Sequence, residues 1–303
     1  MYENLVKTLI NDYNAEIKSL ILPCEYTGGT GVCNSCIFVE NDKIHLIMRH
    51  VEYTLYHCEG EQKYQSCEQG PLSYYHREDK NELKTNNYYC KLDNKTLEIK
   101  RIHKIDTSKL DKKPIWTFIG LEDARMVKWE DKYYLCGVRR DTTTNGQGRT
   151  ELSEIIITED NVSEINRNRI EVPDTNSYCE KNWMPILSKS YHFVKWTNPI
   201  EIVKVDLNNN NCETIFKDDK INKDLVLDIR GGSSLIDWYD NTYLCITHEV
   251  DFTLKNQNGF KNADYYHRFI VFDRETYEKK YISEPFNFMT GKIEFCIGLA
   301  EYN

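Results

Sequence analysis

One phrase recurs along this chain and limits its fold more than any other feature. A polar or charged pair leads into an apolar strand, a short Asp/Asn turn follows, and a second strand ends in a base. It runs Asn34-Ser35-Cys36-Ile37-Phe38, then Asn41-Asp42-Lys43, then Ile44 to Arg49. It returns as Glu122-Asp123-Ala124-Arg125-Met126-Val127, Glu130-Asp131-Lys132 and Tyr133 to Arg139, and again as Arg230-Gly231-Gly232-Ser233-Ser234-Leu235-Ile236, Asp240-Asn241 and Thr242 to His248. A weaker copy spans Lys181-Asn182-Trp183-Met184-Pro185-Ile186 to Phe193-Val194-Lys195, and a first half alone stands at Glu294-Phe295-Cys296-Ile297. Long-period recurrence of one all-strand unit with charged inner ends points to a β-propeller.

Each interval between phrases holds one further hairpin, broken by Asp93-Asn94-Lys95, Glu159-Asp160-Asn161, Asp206 to Asn211 and Asp273-Arg274-Glu275. Two hairpins per unit make a four-stranded blade. The expected fold is therefore all-β: a five-bladed β-propeller of four-stranded antiparallel blades with a short N-terminal helical segment, forming a single domain over 1–303. Inner strands are expected near 34–39, 123–128, 183–188, 232–237 and 294–299. The phrase anchors at 34, 123, 182, 231 and 295 are separated by 89, 59, 49 and 64 residues, against about 40–50 for a minimal blade. The excess is loop, and loops at one end of such a ring carry function.

Composition narrows the partners. A net charge of -9 and the lack of any basic cluster argue against nucleic acid and anionic membrane. No apolar run approaches a membrane span, and Glu3, Asp12 and Glu16 interrupt the stretch where a signal peptide would be apolar, so the expected location is cytoplasmic. Eleven cysteines, an odd count with Cys136 and Cys245 at matching strand positions, suit reduced buried thiols. Cys24, Cys33 and Cys36, with His57 and Cys58 further on, have the ligand types zinc prefers, but there is one Cys-x-x-Cys spacing and no second pair. No metal is expected.

In a propeller the first strand of each blade lines the centre, so the polar starts of the phrases and the basic ends of the second strands converge. Asn34, Arg49, Glu122, Asp123, Arg125, Arg139, Glu180, Lys181, Asn182, Arg230, His248, Glu249 and Glu294 would then share one pocket. Mixed charges in a cleft are costly to desolvate unless they pair or bind something. They either close the channel as an ion network or hold a ligand.

The phrases Gly120-Leu121-Glu122-Asp123-Ala124-Arg125, Glu180-Lys181-Asn182-Trp183-Met184-Pro185, Arg230-Gly231-Gly232-Ser233 and Tyr265-Tyr266-His267-Arg268-Phe269 resemble those of the five-bladed propellers of glycoside hydrolase family 130, the β-mannoside phosphorylases, and of the related glycosyltransferase family 108 mannosyltransferases. The resemblance implies an inverting reaction at a mannoside, with a carboxylic acid as proton donor and phosphate, held by basic side chains, as nucleophile. Asp123 matches the family's proton donor, thought to act through a sugar hydroxyl. Lys181, His248 and one of Tyr265 or Tyr266, taken as Tyr266, match its phosphate-binding region, with Arg49 and Arg139 as further phosphate ligands. Asn34, Glu122, Arg125, Asn182, Trp183, Arg230 and Glu294 are expected to contact substrate, Trp183 as a sugar platform, while Trp129 and Trp238 are expected to pack between blades.

The resemblance implies no resident cofactor, inorganic phosphate or a nucleotide sugar as co-substrate, and an oligosaccharide or sugar phosphate as partner. Plain hydrolysis would need a base, for which Glu294 or Glu122 stands available; a non-catalytic carbohydrate-binding or scaffold propeller is the reading from another class. The last phrase lacks its second strand, so the fifth blade is expected to be short or to be completed from the N-terminus by Ile17 to Leu22. Unpaired edges leave homo-oligomerisation open.

Overall fold

Each recurring phrase folds as a tight hairpin because its turn residues accept positive φ. Asn41 and Asp42 (46° and 60°) and Glu130 and Asp131 (51° and 60°) form two-residue loops whose twist matches the flanking strands, and Asp240 and Asn241 (54° and 57°) follow Tyr239 in a three-residue loop between Trp238 and Thr242. The outer hairpins use a second device. Asp93 Oδ1 accepts the backbone N–H groups of Lys95 and Thr96, and Asp273 Oδ1 those of Glu275 and Thr276. Both turns close on a left-handed residue, Leu97 and Tyr277.

The computed structural model describes residues 3–54, 65–69, 72–76, 82–143, 145–172, 176–220, 229–251, 263–289 and 293–302. The chain is mostly β, with a helix over Leu5–Tyr13 that Asn4 caps through the N–H of Lys7. Four antiparallel sheets follow one another, the first two joined at their outer edges by parallel pairing of Ile105 and Asp106 with Val162 and Ser163. Sheet 1 holds Val32–Glu40, Lys43–Val51, Leu83–Leu92 and Ile99–Asp106; sheet 2 holds Glu122–Trp129, Lys132–Arg139, Arg149–Ile157 and Val162–Arg169. Sheet 3 holds Met184–Pro185, His192–Thr197, Ile200–Asp206 and Asn211–Asp218; sheet 4 holds Ile236–Trp238, Thr242–Asp251, Asp264–Asp273 and Lys279–Ile282.

Alternation along the strands sends neighbouring residues into neighbouring seams. Met126 and Leu135 of sheet 2 pack on Cys36, Ile47 and Tyr89 of sheet 1, while Val127, Tyr134 and Cys136 pack on Phe193, Val203 and Val205 of sheet 3. Met184, Val194 and Ile202 of sheet 3 meet Tyr243, Cys245 and Ile270 of sheet 4. The inner strands of sheets 2 and 3 are thus buried on both faces.

The inner strands of sheets 3 and 4 are shorter than expected. Pro185 has no N–H for a ladder, and its carbonyl instead accepts Leu235 N at 2.9 Å across the seam, with Leu187 N returning to the Leu235 carbonyl at 3.1 Å. Gly231 runs against sheet 3 so closely that a Cβ would fall 1.8 Å from the Asn182 carbonyl oxygen. The expected fifth inner strand differs more. Residues 294–299 are not a strand, and the proposed partner at Ile17–Leu22 is not one either, so there is no ladder to extend. The segment nonetheless lies between sheets 4 and 1: Ile297 joins the Cys36 and Phe38 core, and a Cβ on Gly298 would meet Ile37 N at 2.5 Å.

Candidate functional site

Three equivalent residues at the phrase starts, Asn34, Asp123 and Asn182, have φ of 49°, 54° and 63°. Asn and Asp are the side chains that enter this region most readily after glycine. In sheets 1 and 2 these residues sit within bulges: pairing skips from Cys33–Arg49 to Cys36–Ile47, and from Glu122–Val138 to Arg125–Cys136. In a regular strand the adjacent Glu122 and Asp123 would face opposite ways. Across the bulge both reach Arg49, at 3.8 Å and 2.7 Å.

Asp123 is buried and fixed from two sides, its Oδ1 accepting Asn34 Nδ2 at 2.6 Å and Arg49 Nη1 at 2.7 Å. Arg49 is itself held, its Nη2 donating to the Tyr53 hydroxyl at 2.8 Å and to Thr85 Oγ1 at 3.3 Å. Burial alone would raise the Asp123 pKa, but Arg49, then Lys181, the Asn34 hydrogen bond and Arg125 outweigh it and hold the carboxyl down at about 2. Burial pulls the other way on Lys181, where the charges of Asp123 and Glu122 prevail and keep the ammonium above its ordinary pKa. Among the described residues, the side chains of Lys181 and Arg230 have no hydrogen-bond or ion-pair partner.

Sheet 4 supplies the opposite wall. His248 stacks on Tyr265 with ring centres 5.6 Å apart and planes 11° apart, and Phe295 backs it at 4.3 Å. Burial, followed by His267 and the cations Arg230, Lys181 and Arg125, keeps the imidazole neutral, well below its ordinary pKa. Burial raises the Tyr265 pKa against the pull of Lys181, with Asp123 and Arg230 also acting on the hydroxyl. Ionised Asp123 with Glu122 beside it, two cations without a partner among the described residues, a neutral imidazole and a phenol therefore converge. That set can hold an anion beside a carboxylate.

The structure brings together Asn34, Arg49, Glu122, Asp123, Lys181, Arg230 and His248, and it corrects five expectations. Arg139 lies elsewhere: the residue matching Arg49 is Val138, opposite Glu122, so Arg139 is one step further along and faces the other side. Its Nε donates to Glu151 at 2.6 Å, with Asp141 at 3.5 Å and Glu164 at 3.9 Å, beside a cavity of about 630 Å³ between sheets 1 and 2. Tyr266 pairs with Glu249, a step out of phase with His248 and His267, and Tyr265 takes the place assigned to it. Glu294 accepts the N–H groups of Phe288 and Met289 at 2.8 Å and 2.9 Å, so its carboxylate holds a loop. Trp183 is no platform; it is buried against Phe193, its indole N–H on Glu180. Arg125 acts as a brace, donating to the carbonyls of Gly232 at 2.6 Å and Asp123 at 2.9 Å.

Asn182 stands beside the group with its Oδ1 buried and without a hydrogen bond among the described residues. Trp129 packs in the core as expected, whereas Trp238 is partly exposed against Tyr239. Tyr53, Tyr74 and Arg140 were not anticipated. They come from the segment between the second and third strands of sheet 1 and from the end of a sheet 2 strand, outside the phrase starts that the sequence pattern marks. No cluster of three or more His, Cys, Asp or Glu side chains suited to a metal occurs among the described residues; His57 and Cys58 lie outside them. No described helix is long and apolar enough to cross a membrane.

No protein-family model matches the chain, and no curated protein matches it. Solved structures do. One comes from the GH130 family of mannoside phosphorylases, in which glycoside hydrolases target β-1,2 mannosidic linkages in Candida mannan; it is 11% identical, with 89% of this chain and 77% of that chain covered and a TM-score of 0.53. A glycosyl hydrolase from Bacteroides ovatus is 10% identical, covering 84% of this chain and 71% of that one, with a TM-score of 0.50. A looser likeness, TM-score 0.42 at 12% identity over 94% and 76%, is to a mannose phosphorylase from Leishmania mexicana in complex with a phosphate ion. At these identities the likeness is one of fold.

Proposed function

We propose that the four sheets and the 294–299 segment form a single five-bladed propeller domain that acts on a mannose-type glycoside, with inorganic phosphate or a nucleotide sugar as co-substrate. The observation that carries this reading is the convergence of ionised, braced Asp123 with the cations Lys181 and Arg230, which have no partner among the described residues. A channel closed by ion pairs would have left those cations matched. The fold shared with mannoside phosphorylases supports the substrate class.

The charge state suits the synthetic direction. An ionised Asp123 accepts a proton, so it takes the one lost by an acceptor hydroxyl, through a sugar hydroxyl or directly, as that oxygen attacks the anomeric carbon. The bond from that carbon to the phosphate oxygen breaks, and the electron pair leaves on phosphate, whose charge Lys181 and Arg230 receive. Phosphorolysis is the reverse: phosphate attacks, and protonated Asp123 returns its proton to the leaving oxygen. Phosphate bound at Lys181 offsets one of the charges that depress the Asp123 pKa, so anion binding promotes proton uptake there. Of the two candidate bases for hydrolysis, Glu294 is occupied by the amides of Phe288 and Met289, which leaves Glu122, 3.8 Å from Arg49, to fill that role.

The test is a screen of the intact protein with mannose 1-phosphate and with GDP-mannose, each with mannose or mannobiose as acceptor, following phosphate or GDP release. Acceptor-dependent release is expected with one donor. Release of neither product, together with no binding of phosphate or mannobiose, would leave the scaffold reading in place.

A further inference from the structure

The first interval between phrases is the longest, and its excess forms a separate three-stranded arm of Tyr53–Thr54, Gln65–Gln69 and Leu72–His76. The arm is pinned at both roots. Glu52 N donates to the Lys84 carbonyl at 3.0 Å and Leu83 N to that of Thr117 at 2.9 Å, while Leu83–Lys84 pairs with Phe118–Ile119, just ahead of Glu122 and Asp123. Placement of the arm is thus coupled to that of the acid.

Its aromatic side chains continue the wall of the site. Tyr53 holds Arg49; Tyr74 stands edge-on to Tyr53 at 5.7 Å and to Phe118 at 5.2 Å; and the Arg140 guanidinium lies 4.5 Å from the Phe118 ring and 5.4 Å from that of Tyr178. The half-buried Tyr74 hydroxyl makes no hydrogen bond among the described residues. After burial, the groups that act on it are Glu122, Lys181, Arg140 and Tyr265. Tyr74 therefore faces the polar group from the arm side, with the Tyr265–His248 stack contributed by sheet 4.

We propose that the arm forms the acceptor side of the pocket and that Tyr74 is a specificity-determining residue, its ring against the apolar face of the acceptor sugar and its hydroxyl on one of that sugar's hydroxyl groups. An aromatic with an apolar body and a polar tip suits a sugar, which offers both kinds of surface. The phosphate-side cations Lys181 and Arg230 come from the starts of the sheet 3 and sheet 4 phrases, so donor and acceptor contacts arise from separate parts of the chain. The arm lies outside the repeating strands, so its sequence can change the acceptor without disturbing the ring.

This inference rests on the reading of the site as a sugar-transfer pocket, and two readouts separate the fates of the two. In steady-state kinetics, Tyr74→Ala should raise KM for the mannobiose acceptor about tenfold or more, with KM for the donor changed less than twofold and the melting temperature retained. Tyr74→Phe, which keeps the ring, should fall between Tyr74→Ala and the unaltered protein. Equal effects on donor and acceptor, or none on either, would overturn the assignment while leaving the transferase reading intact. If no donor is turned over, ligand-observed NMR with mannobiose decides: binding lost in Tyr74→Ala but kept in Asp123→Asn upholds the subsite, and binding unchanged in Tyr74→Ala, or absent from the unaltered protein, overturns it.

Discussion

Arg49 illustrates how much at this site depends on single pairings. Removing one member of a buried ion pair leaves the other charged and unmatched, which typically costs about 3–5 kcal/mol. Arg49→Met is therefore expected to destabilise the protein by about that amount in urea titrations, and to raise the Asp123 pKa; a loss under about 1 kcal/mol would show that the pair is not the main brace. The buried imidazoles make a second prediction. Burial holds His45 and His267 down at about 4 and His248 well below its ordinary value. An unfolded imidazole takes up its proton near pH 6.5, so between about 6.5 and 4 the unfolded chain binds protons that the folded chain does not. Each histidine then lowers stability as pH falls, with a slope of up to about 1.4 kcal/mol per pH unit. The depressed carboxyl of Asp123 has a lower window: its contribution is present above about pH 4 and is lost as pH falls toward about 2. The urea midpoint should consequently drop between pH 7 and pH 5, and a midpoint that stays level would contradict neutral burial of the histidines. Residue identity at the site was legible only in part. Asn34, Asp123 and Lys181 stand where the phrase places them, but Tyr266 and Arg139 were each one residue out of phase, because a period-two strand turns a one-step error into the opposite face.

At the scale of elements, the hairpins were the most legible feature, since an Asp or Asn turn states its conformation locally. The same logic gives a stability test. Leu97 and Tyr277 close equivalent outer turns at φ of 56° and 58°, a conformation that costs a side chain with a Cβ roughly 1–2 kcal/mol. Leu97 is 37% exposed and Tyr277 9%. Leu97→Gly should therefore stabilise the protein by about 1 kcal/mol through relief of that strain. Tyr277→Gly should destabilise it, since the lost packing against Phe216 exceeds the relief. Matching signs for the two variants in thermal denaturation would contradict the account. The short inner strands were not legible as such. Pro185 and the Gly231-Gly232 pair weaken these ladders, and the Pro185 carbonyl instead accepts Leu235 N from the neighbouring phrase, a contact no local pattern specifies.

For the whole molecule, the sequence pointed to a closed ring, and the seams between successive sheets follow from strand alternation. Closure is the part that differs. The 294–299 segment fills the space between sheets 4 and 1 as irregular chain, placed by Ile297 and by the close approach of Gly298 to Ile37. A methyl at Gly298 would meet backbone, which yields far less readily than a flexible side chain. Gly298→Ala should lower the urea midpoint, whereas Gly29→Ala, at a position with open space around the Cβ but a φ of 85°, tests backbone strain without contact. A midpoint unchanged in Gly298→Ala would mean that the segment does not join the two sheets.

In the proposed reaction Asp123 transfers the proton and the anion sits at Lys181. The most direct test is the rate of acceptor-dependent phosphate or GDP release by the unaltered protein and by Asp123→Asn, with whichever donor is turned over. Asp123→Asn should release product about 10²- to 10⁴-fold more slowly while still binding mannobiose; a variant as active as the unaltered protein would show that Asp123 does not transfer the proton.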